Sequence, residues 1–194
     1  MTEYEAPSWE YFYELCVELG EKVRASGFNP DVLLGVSRGG LIPVRILSDL
    51  YEGVEIGVVR VEFYRGIEET EEEPRITQPP SVELRDKRVL VVDDVADTGK
   101  TLKTLKEYIL SAGAREAKIA VVYYKPWSVL KPDYYVKETE KWIIFPHEIR
   151  ESIFKILRKG LSDGRKVKDV RKELIDAGLR PSIVDKYIRE FLNK

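Results

Sequence analysis

The residue types best suited to chemistry lie together at positions 93–101, Asp-Asp-Val-Ala-Asp-Thr-Gly-Lys-Thr. Four apolar residues precede this segment and predict a buried strand, while Leu102 and Leu105 begin a helical pattern after it. A loop with Gly and Thr between a strand and a helix N-terminus favours phosphate, because its N–H groups converge on the anion and the helix dipole attracts it. The adjacent Asp93 and Asp94 suit the two hydroxyls of a ribose, or a Mg²⁺ ion, beside that phosphate. The segment therefore predicts a ribose 5-phosphate site.

Two simpler interpretations of this segment compete with that one. The order Gly99-Lys100-Thr101 is that of the end of a triphosphate-binding P-loop, but such a loop needs a glycine five positions before Gly99, and position 94 is Asp. A carboxylate there would repel a triphosphate. The other alternative is an ordinary strand-to-helix turn in which Asp and Thr cap the helix. The combination of paired carboxylates, a third Asp and two Thr favours the ribose-phosphate site over both.

A second candidate anion-binding loop lies at residues 35–43, Gly-Val-Ser-Arg-Gly-Gly-Leu-Ile-Pro, between a predicted strand and a predicted helix. Gly39 and Gly40 let the backbone turn tightly and are expected to point N–H groups outward. Arg38 adds a fixed positive fork that matches phosphate oxygens. A Gly-Gly pair before a helix is often only a turn, but beside a ribose-phosphate site this loop is expected to hold a pyrophosphate leaving group.

The spacing of apolar residues indicates the elements that must position these two loops. Residues 64–85, with three prolines and an acidic run, have the composition of a loop. Alternating strands and helices predict a doubly wound parallel sheet, and both candidate loops follow strands at the carboxyl edge, where such sheets bind ligands. Helical spacing is found at 8–26, 41–51 and 100–112, and strand patterns at 31–36, 54–63, 88–93 and 117–124.

With this strand, acidic pair and Asp-Thr-Gly-x-Thr loop, the chain resembles the type I phosphoribosyltransferases at their signature for phosphoribosyl pyrophosphate. The resemblance implies an α/β fold with a doubly wound, mostly parallel sheet and a small hood over the site. It also implies Mg²⁺-dependent transfer of ribose 5-phosphate to a nitrogenous base, and a cis peptide bond near Ser37 and Arg38. The pyrophosphate loop is then Ser37, Arg38, Gly39 and Gly40, and the 5-phosphate loop is Ala96, Asp97, Thr98, Gly99, Lys100 and Thr101.

Candidate base-binding residues follow farther along the chain. Lys125 ends a predicted strand and could donate to an exocyclic oxygen, and the ring of Trp142 could stack on a base; alternatively, Lys125 is solvated and Trp142 lies in the core. The run 124–148 resembles the base-binding part of microbial 6-oxopurine phosphoribosyltransferases. That resemblance implies that Lys125 contacts O6, that Trp142 stacks on the purine, and that the Ile143 carbonyl and Glu148 read its C2 side. A Pro-Trp-Asp ending is more usual there than the Pro-His-Glu of this chain, so the preferred base, among hypoxanthine, guanine and xanthine, stays open.

The resemblance also implies how the reaction runs. Asp93 and Asp94 hold the ribose hydroxyls and the hydration shell of Mg²⁺, and Arg38 stabilises the charge that builds on departing pyrophosphate. The bond from C1 breaks early, and N9 of the stacked purine captures an oxocarbenium-like sugar. Asp97 lies near N7 and acts as the acid or base.

The expected domain organisation is a phosphoribosyltransferase domain over residues 1–150 followed by a small helical domain. The hood is expected from roughly 1–10 and 125–150. A loop at 64–80 is expected to be a mobile lid that excludes water, with Tyr64 and Arg75 as its functional residues.

Residues 151–194 lie outside the resemblance, and three apolar patches at helical spacing predict a C-terminal appendix of three helices. The appendix carries 12 Lys and Arg against 7 Asp and Glu, a net charge of +5, whereas the whole chain has −2. The basic cluster at 165–172 raises an alternative function, a regulator that senses a ligand and binds nucleic acid in a helix-turn-helix manner. The candidate catalytic and base-stacking residues favour the enzyme, for which nucleic acid is not an expected partner.

Composition sets the remaining expectations. Cys16 is the single cysteine, which excludes an internal disulfide, and its apolar helical surroundings predict a buried thiol rather than a nucleophile. No apolar run is long enough for a bilayer and no signal-peptide pattern opens the sequence, so a cytoplasmic location is expected. The expected partners are phosphoribosyl pyrophosphate, a purine base and Mg²⁺, and family resemblance implies a homo-oligomer, either a dimer or a tetramer.

Overall fold

The computed structural model describes residues 3–64 and 73–193, of which Tyr64 is described by its backbone alone. The strands in these residues are β1 (Tyr4–Glu5), β2 (Val32–Ser37), β3 (Glu55–Tyr64), β4 (Glu73–Gln78), β5 (Arg88–Ala96), β6 (Glu116–Tyr124), β7 (Tyr134–Glu138) and β8 (Trp142–Ile143). The helices are α1 (Trp9–Ala25), α2 (Leu41–Ser48), α3 (Lys100–Ser111), α4 (Ile149–Ser162), α5 (Val167–Asp176) and α6 (Pro181–Leu192).

The chain forms two compact units. We call Tyr13–Glu140 the sheet unit, and Met1–Phe12 together with Lys141–Lys194 the helical unit. The domain boundary predicted at 150 and the hood predicted from 1–10 and 125–150 do not coincide with these units. The difference arises because the N-terminal segment contributes a strand and core residues to the unit that holds the C-terminal helices.

The sheet unit is built on six strands in the order β4-β3-β2-β5-β6-β7. All neighbouring pairs are parallel except β3 with β4, which is antiparallel. The chain adds β3 on one side of β2, but it adds β6 and β7 on the far side of β5, so the winding direction reverses between β2 and β5. The predicted doubly wound, mostly parallel sheet is confirmed, and its reversal point is where sheets of this kind form a ligand-binding crevice.

The central strands of the sheet unit are buried on both faces, which explains their unbroken apolar sequences. In β2 the first five residues are all buried, and β5 holds four buried apolar residues at 89–92. Helix α3 is instead buried on one face only, where Leu102, Leu105 and Ile109 pack against this core. The core thus fixes the ends of β2 and β5, from which both candidate loops project.

Strand β4 corrects the loop predicted over 64–85. Its residues pair antiparallel with β3, with Arg75 opposite Glu62 and Pro74 opposite Phe63. Proline disfavours central strands because it lacks an N–H donor, but β4 is an edge strand, where proline is tolerated. Residues 65–72 of the predicted loop lie outside the described residues.

The helical unit contains the three predicted C-terminal helices. Strands β1 and β8 pair in parallel, with Tyr4 opposite Trp142, and the Ala6 N–H donates to the Ala177 carbonyl at 3.1 Å. These contacts tie the N-terminal segment to the helices. The buried core comes from α4, α5, α6 and the segment before them, and includes Ile144, Ile153, Leu157, Val170, Leu174, Val184 and Ile188.

Two arginines of the basic cluster at 165–172 are engaged within the helical unit. The Arg165 guanidinium donates to Glu173 at 2.6 Å, and Arg171 donates to both carboxylate oxygens of Asp185 at 2.6 and 3.1 Å. The second pair links α5 to α6. These arginines therefore connect parts of the unit in addition to contributing positive charge. Among the described helices, none combines the length and the apolar character that crossing a membrane would need.

Candidate active site

The two candidate loops meet at the point where the winding of the sheet reverses. Residues 38–40 follow β2 and residues 97–99 follow β5, and these two strands are parallel neighbours with Gly35 opposite Val92. Because parallel neighbours end at the same edge, the sheet brings the predicted pyrophosphate loop and the predicted 5-phosphate loop side by side. The acidic pair belongs to the end of β5, between them.

Gly39 and Gly40 of the first loop are packed so closely against neighbouring atoms that neither position has room for a side chain. A β-carbon on Gly39 would lie 2.6 Å from the Cγ atom of Asp94, and one on Gly40 would lie 2.7 Å from the backbone N of Val36. Gly40 has ordinary helical angles, φ −68° and ψ −10°, so a side chain is excluded there by neighbouring backbone. The peptide bond between Ser37 and Arg38 is cis, as predicted.

One expectation for this loop was wrong. The sequence predicted that both glycines point their N–H groups outward, but the Gly40 N–H donates to the Val36 carbonyl at 2.8 Å. Gly40 lies at the start of α2, and its tight packing between β2 and β5 turns its backbone inward. Arg38 is exposed at the same edge.

The acidic pair differs in exposure between its two members. Asp94 is buried, with 7% of its surface exposed, whereas Asp93 is half-buried and its Oδ1 accepts the Asp94 N–H at 3.0 Å. Loss of water around Asp93, and then repulsion by Asp94, raise the pKa of Asp93 well above its ordinary value, against the opposing effect of the N–H groups of Asp94 and Gly40. Two close carboxylates in such a place suit a partner that supplies hydroxyl donors or a cation.

Cys16 of α1 is a buried, free cysteine. The thiol is fully buried, and burial together with the nearby Asp94 charge raises the pKa of Cys16 to about 12. At neutral pH the group is therefore a thiol and not a thiolate nucleophile. This confirms the predicted buried cysteine.

The second loop turns directly from β5 into α3. Gly99 is the residue before the helix and has a left-handed backbone, φ +76°, which favours glycine. Its carbonyl accepts the Lys103 N–H at 3.0 Å, so the helix begins immediately after it. Asp97 and Thr98 are exposed, Lys100 and Thr101 are partly exposed, and Ala96 is buried. An exposed loop at the N-terminus of a 12-residue helix has the electrostatics of a phosphate site.

The segment after β6 is fastened to the second loop by main-chain hydrogen bonds. The Lys125 N–H donates to the Ala96 carbonyl at 3.0 Å, and the Val129 N–H donates to the Thr98 carbonyl at 2.9 Å. Gly99 also makes room for this segment, because a β-carbon there would lie 2.9 Å from the Leu130 backbone N. The position of residues 125–130 is therefore set by the 96–99 loop.

This segment supplies a residue that sequence reasoning missed. The Trp127 Nε1–H donates to Asp97 Oδ1 at 3.1 Å, although the two residues are 30 positions apart. The Lys125 Nζ lies 5.4 Å from the centroid of the same indole ring. An aromatic residue two positions after the strand-end lysine was the only signal in the sequence, and that signal alone indicates no particular contact.

The residues predicted to bind the purine are divided between the two units. Lys125 is buried, 5% exposed, in the sheet unit, so the solvated alternative is wrong. Trp142, Ile143 and Glu148 belong to the helical unit, where Trp142 is 50% exposed and Ile143 is buried. The alternative that Trp142 lies in the core is therefore wrong too. Roles of these residues toward a base stay predictions.

The predicted lid is described only in part. Arg75 is exposed on β4, and the side chain of Tyr64 and all of residues 65–72 lie outside the described residues. The mobility of the lid stays a prediction.

The carboxylates of Asp93 and Asp94 at the end of β5 suit a Mg²⁺ ion that takes its other ligands from water and substrate. Within residues 3–64 and 73–193, no group of three or more His, Cys, Asp or Glu side chains could hold a metal ion. Mg²⁺ is commonly held by one or two carboxylates, with water and substrate phosphates as its other ligands. Asp93 and Asp94 match that pattern, because their mutual repulsion is relieved by a cation and their oxygens are hard donors.

Comparison with known proteins agrees with this geometry. The family model of the phosphoribosyl transferase domain matches residues 8–151. A xanthine-guanine phosphoribosyltransferase of Gluconobacter oxydans is 34% identical over 116 residues, which are 59% of this chain and 66% of that protein. One from Idiomarina loihiensis is 30% identical over 73% of this chain and 85% of its own length.

A solved structure extends the similarity to the fold. The purine phosphoribosyltransferase of Pyrococcus horikoshii Ot3 has 44% sequence identity with this chain and a TM-score of 0.68. The match covers 75% of this chain and 93% of the Pyrococcus chain. The family match spans most of the chain and includes both candidate loops and the acidic pair, so this chain belongs to the phosphoribosyl transferase domain family.

Proposed function

We propose that this chain transfers ribose 5-phosphate from phosphoribosyl pyrophosphate to N9 of a 6-oxopurine, and releases pyrophosphate and a nucleoside 5-monophosphate. The observation that carries the proposal is the meeting of two candidate anion-binding loops and an acidic pair at the reversal point of the sheet. The relatives named as xanthine-guanine phosphoribosyltransferases support the choice of base.

The donor is expected to lie along the strand ends of the sheet unit. Its 5-phosphate occupies the 96–101 loop, where the N-terminus of α3 attracts the anion. Asp93 and Asp94 accept hydrogen bonds from the ribose hydroxyls and would hold Mg²⁺. When bound, Mg²⁺ neutralises charge on the pyrophosphate.

Arg38 and the backbone around it are expected to hold the leaving group. The bond between C1 and pyrophosphate breaks early, so negative charge grows on the leaving group while positive charge grows on the sugar. The guanidinium of Arg38 stabilises the first of these charges. The purine N9 then attacks C1 from a fixed position, which replaces a bimolecular encounter by an intramolecular one.

Asp97 is the group we assign to proton transfer. It is exposed in the loop that follows β5, next to the place assigned to the sugar phosphate. A purine that attacks through N9 must lose or shift a ring proton, and a carboxylate near N7 accepts it. The proton passes to Asp97 as the new N9–C1 bond forms.

Base selection is assigned to Lys125 and to three residues that follow it in the chain. The lysine ammonium has only donors, so it pairs with the O6 oxygen of a 6-oxopurine and disfavours the 6-amino group of adenine. Trp142 is assigned to stacking on the purine, and the Ile143 carbonyl and Glu148 to its C2 side. Arg75, which is exposed on β4, is assigned to keeping water from the sugar cation.

We also propose that the chain assembles as a dimer or a tetramer. Light scattering with size-exclusion chromatography checks this, because a monomer mass of 22.4 kDa is well separated from either assembly.

The activity itself is tested by pyrophosphate release from phosphoribosyl pyrophosphate with Mg²⁺. Guanine, hypoxanthine, xanthine, adenine and orotate are supplied separately. Release with one or more 6-oxopurines, and little with adenine or orotate, is the expected result. Release with adenine or orotate alone contradicts the base assignment, and release with none of the five bases contradicts the proposed function.

A further inference from the structure

Trp127 is an exposed residue whose indole N–H is nevertheless hydrogen-bonded to a carboxylate. About half of its surface, 52%, is exposed, so the ring is not held by burial in a core. Its indole N–H nevertheless donates to Asp97 Oδ1 at 3.1 Å. An indole N–H can only donate, and a carboxylate can only accept, so the pairing has one possible direction.

The backbone around this contact is fixed on both sides. The Lys125 N–H bonds to the Ala96 carbonyl and the Val129 N–H bonds to the Thr98 carbonyl, at 3.0 and 2.9 Å, so residues on each side of Trp127 are attached to residues on each side of Asp97. The Ser128 N–H also donates to the Lys125 carbonyl at 3.0 Å, which closes a tight turn around Trp127. The indole is thereby presented to the carboxylate by main-chain geometry.

The indole ring of Trp127 also contacts Lys125, the residue of the sheet unit to which we assign recognition of the purine base. Lys125 Nζ lies 5.4 Å from the ring centroid, within the range of a cation–π interaction. One side chain thus contacts both Asp97 and Lys125.

We propose that Trp127 is a positioning residue for Asp97. The indole N–H holds one carboxylate oxygen, which fixes the rotamer of an otherwise exposed side chain and leaves the second oxygen for the purine proton. This inference rests on the proposed function, in which Asp97 accepts that proton. Without the N–H, Asp97 samples other rotamers, and the fraction of complexes with a correctly oriented carboxylate falls.

Replacing Trp127 by phenylalanine isolates the hydrogen bond, since an aromatic face remains for Lys125 while the N–H is lost. Trp127→Phe is expected to lower kcat about 10-fold and to leave KM for phosphoribosyl pyrophosphate within 2-fold. Tyr13→Phe is the matched control, because it removes a polar group from an aromatic side chain of the same unit that is 54% exposed. The control is expected to keep wild-type kcat.

A double-mutant cycle with Asp97→Ala separates positioning from general damage. If Trp127 acts through Asp97, Trp127→Phe changes the single-turnover rate less than 2-fold in the Asp97→Ala background. The ¹H–¹⁵N spectrum of the indole groups gives a readout without activity. Its Trp127 signal, assigned with Trp127→Phe, is expected to shift in Asp97→Ala and to stay in place in Asp176→Asn.

The possible failures are distinguishable. An active wild type whose kcat is unchanged in Trp127→Phe overturns the positioning role alone. So does an equal loss in both backgrounds, or an indole signal that ignores Asp97→Ala. A wild type inactive with all five bases overturns the proposed function, and the positioning role with it.

Discussion

Gly39 lies so close to the carboxylate of Asp94 that a β-carbon at position 39 would come within 2.6 Å of the Asp94 Cγ atom. The loop after β2 and the acidic end of β5 are therefore packed on each other without space for a single methyl group. In the proposed reaction these are the pyrophosphate side and the ribose side of one donor molecule. Their close contact gives the two ends of the breaking bond a common, rigid frame.

Gly39→Ala is expected to displace the buried Asp94 carboxylate and to lower kcat/KM at least 100-fold. Overpacking of this kind costs typically 1–3 kcal/mol of stability. Gly164→Ala is the matched control, because position 164 has φ +77° and open space around it, so the strain of about 1–2 kcal/mol arises far along the chain from the acidic pair. If both variants lose similar stability but only Gly39→Ala loses activity, the close packing of Gly39 on Asp94 is needed for activity. Full activity in Gly39→Ala would contradict this role.

Asp93→Asn is expected to stabilise the fold while it reduces activity. The substitution removes one of two like charges in a site with little water, yet the amide oxygen can still accept the Asp94 N–H. Thermal unfolding at pH 7 in EDTA is expected to show a higher Tm than the wild type, and pyrophosphate release is expected to fall at least 10-fold. A lower Tm in the variant would show that the pair is not under electrostatic strain.

Asp31 and Arg88 form a structural ion pair just before β2 and at the start of β5. Asp31 accepts the Arg88 backbone N–H at 2.8 Å, and its two oxygens accept guanidinium N–H groups at 3.0 and 2.8 Å. These hydrogen bonds hold the pKa of Asp31 well below its ordinary value. A depressed carboxyl pKa adds stability above the unfolded-state pKa, near 4, and this stability is lost as pH falls through the folded-state value.

Asp31→Asn is therefore expected to cost roughly 1 kcal/mol of unfolding free energy at pH 7, a modest figure because a third-exposed pair is screened by solvent. Urea unfolding at pH 7 and below pH 4 is the measurement, and the cost is expected to shrink at the lower pH. Asp49→Asn breaks a more exposed pair with Arg45, 67% exposed on each side, and is expected to cost less than Asp31→Asn. An equal cost for the two variants would refute the structural role of the Asp31 pair.

Lys125→Ala is expected to lower kcat/KM for the purine base and to leave KM for phosphoribosyl pyrophosphate nearly unchanged. Loss of a hydrogen bond from a charged group costs about 1.5–3 kcal/mol, so kcat/KM for guanine or hypoxanthine is expected to fall roughly 10–100-fold. KM for phosphoribosyl pyrophosphate is expected to stay within 2-fold. Steady-state kinetics with each substrate varied is the check, with the exposed Lys103→Ala of α3 as the control. An equal effect on both substrates would mean that Lys125 does not recognise the base.

Most of the sheet unit was predictable from sequence because local patterns coincide with buried surfaces. The runs at 32–36 and 89–92 are apolar since helices or neighbouring strands cover them on every side. Strand β4 was not predictable, because an edge strand with a proline has no local pattern and exists only through its pairing with β3. The pairing of β1 with β8 was not predictable for a similar reason, since both are two-residue strands defined by each other.

Some features of the candidate site were likewise predictable from local sequence, and others were not. Asp93, Asp97 and Gly99 were identified because one continuous segment carries strand, loop and helix start together. The Trp127–Asp97 hydrogen bond and the tight packing of Gly39 on Asp94 depend on distant parts of the chain, so no local spacing could predict them. The direction of the Gly40 N–H was mispredicted because the packing between β2 and β5 determines it.

In the proposed reaction, the 93–101 segment binds the ribose 5-phosphate that is transferred to a 6-oxopurine. The most direct test is chromatographic detection of the nucleoside 5-monophosphate formed from phosphoribosyl pyrophosphate, Mg²⁺ and an equimolar mixture of the five bases. The wild type and Asp176→Asn, a change in the exposed part of α5, are expected to form 6-oxopurine monophosphates at equal rates, and Asp97→Asn at least 100-fold more slowly. Undiminished product formation by Asp97→Asn, or no monophosphate from the wild type, would contradict the account.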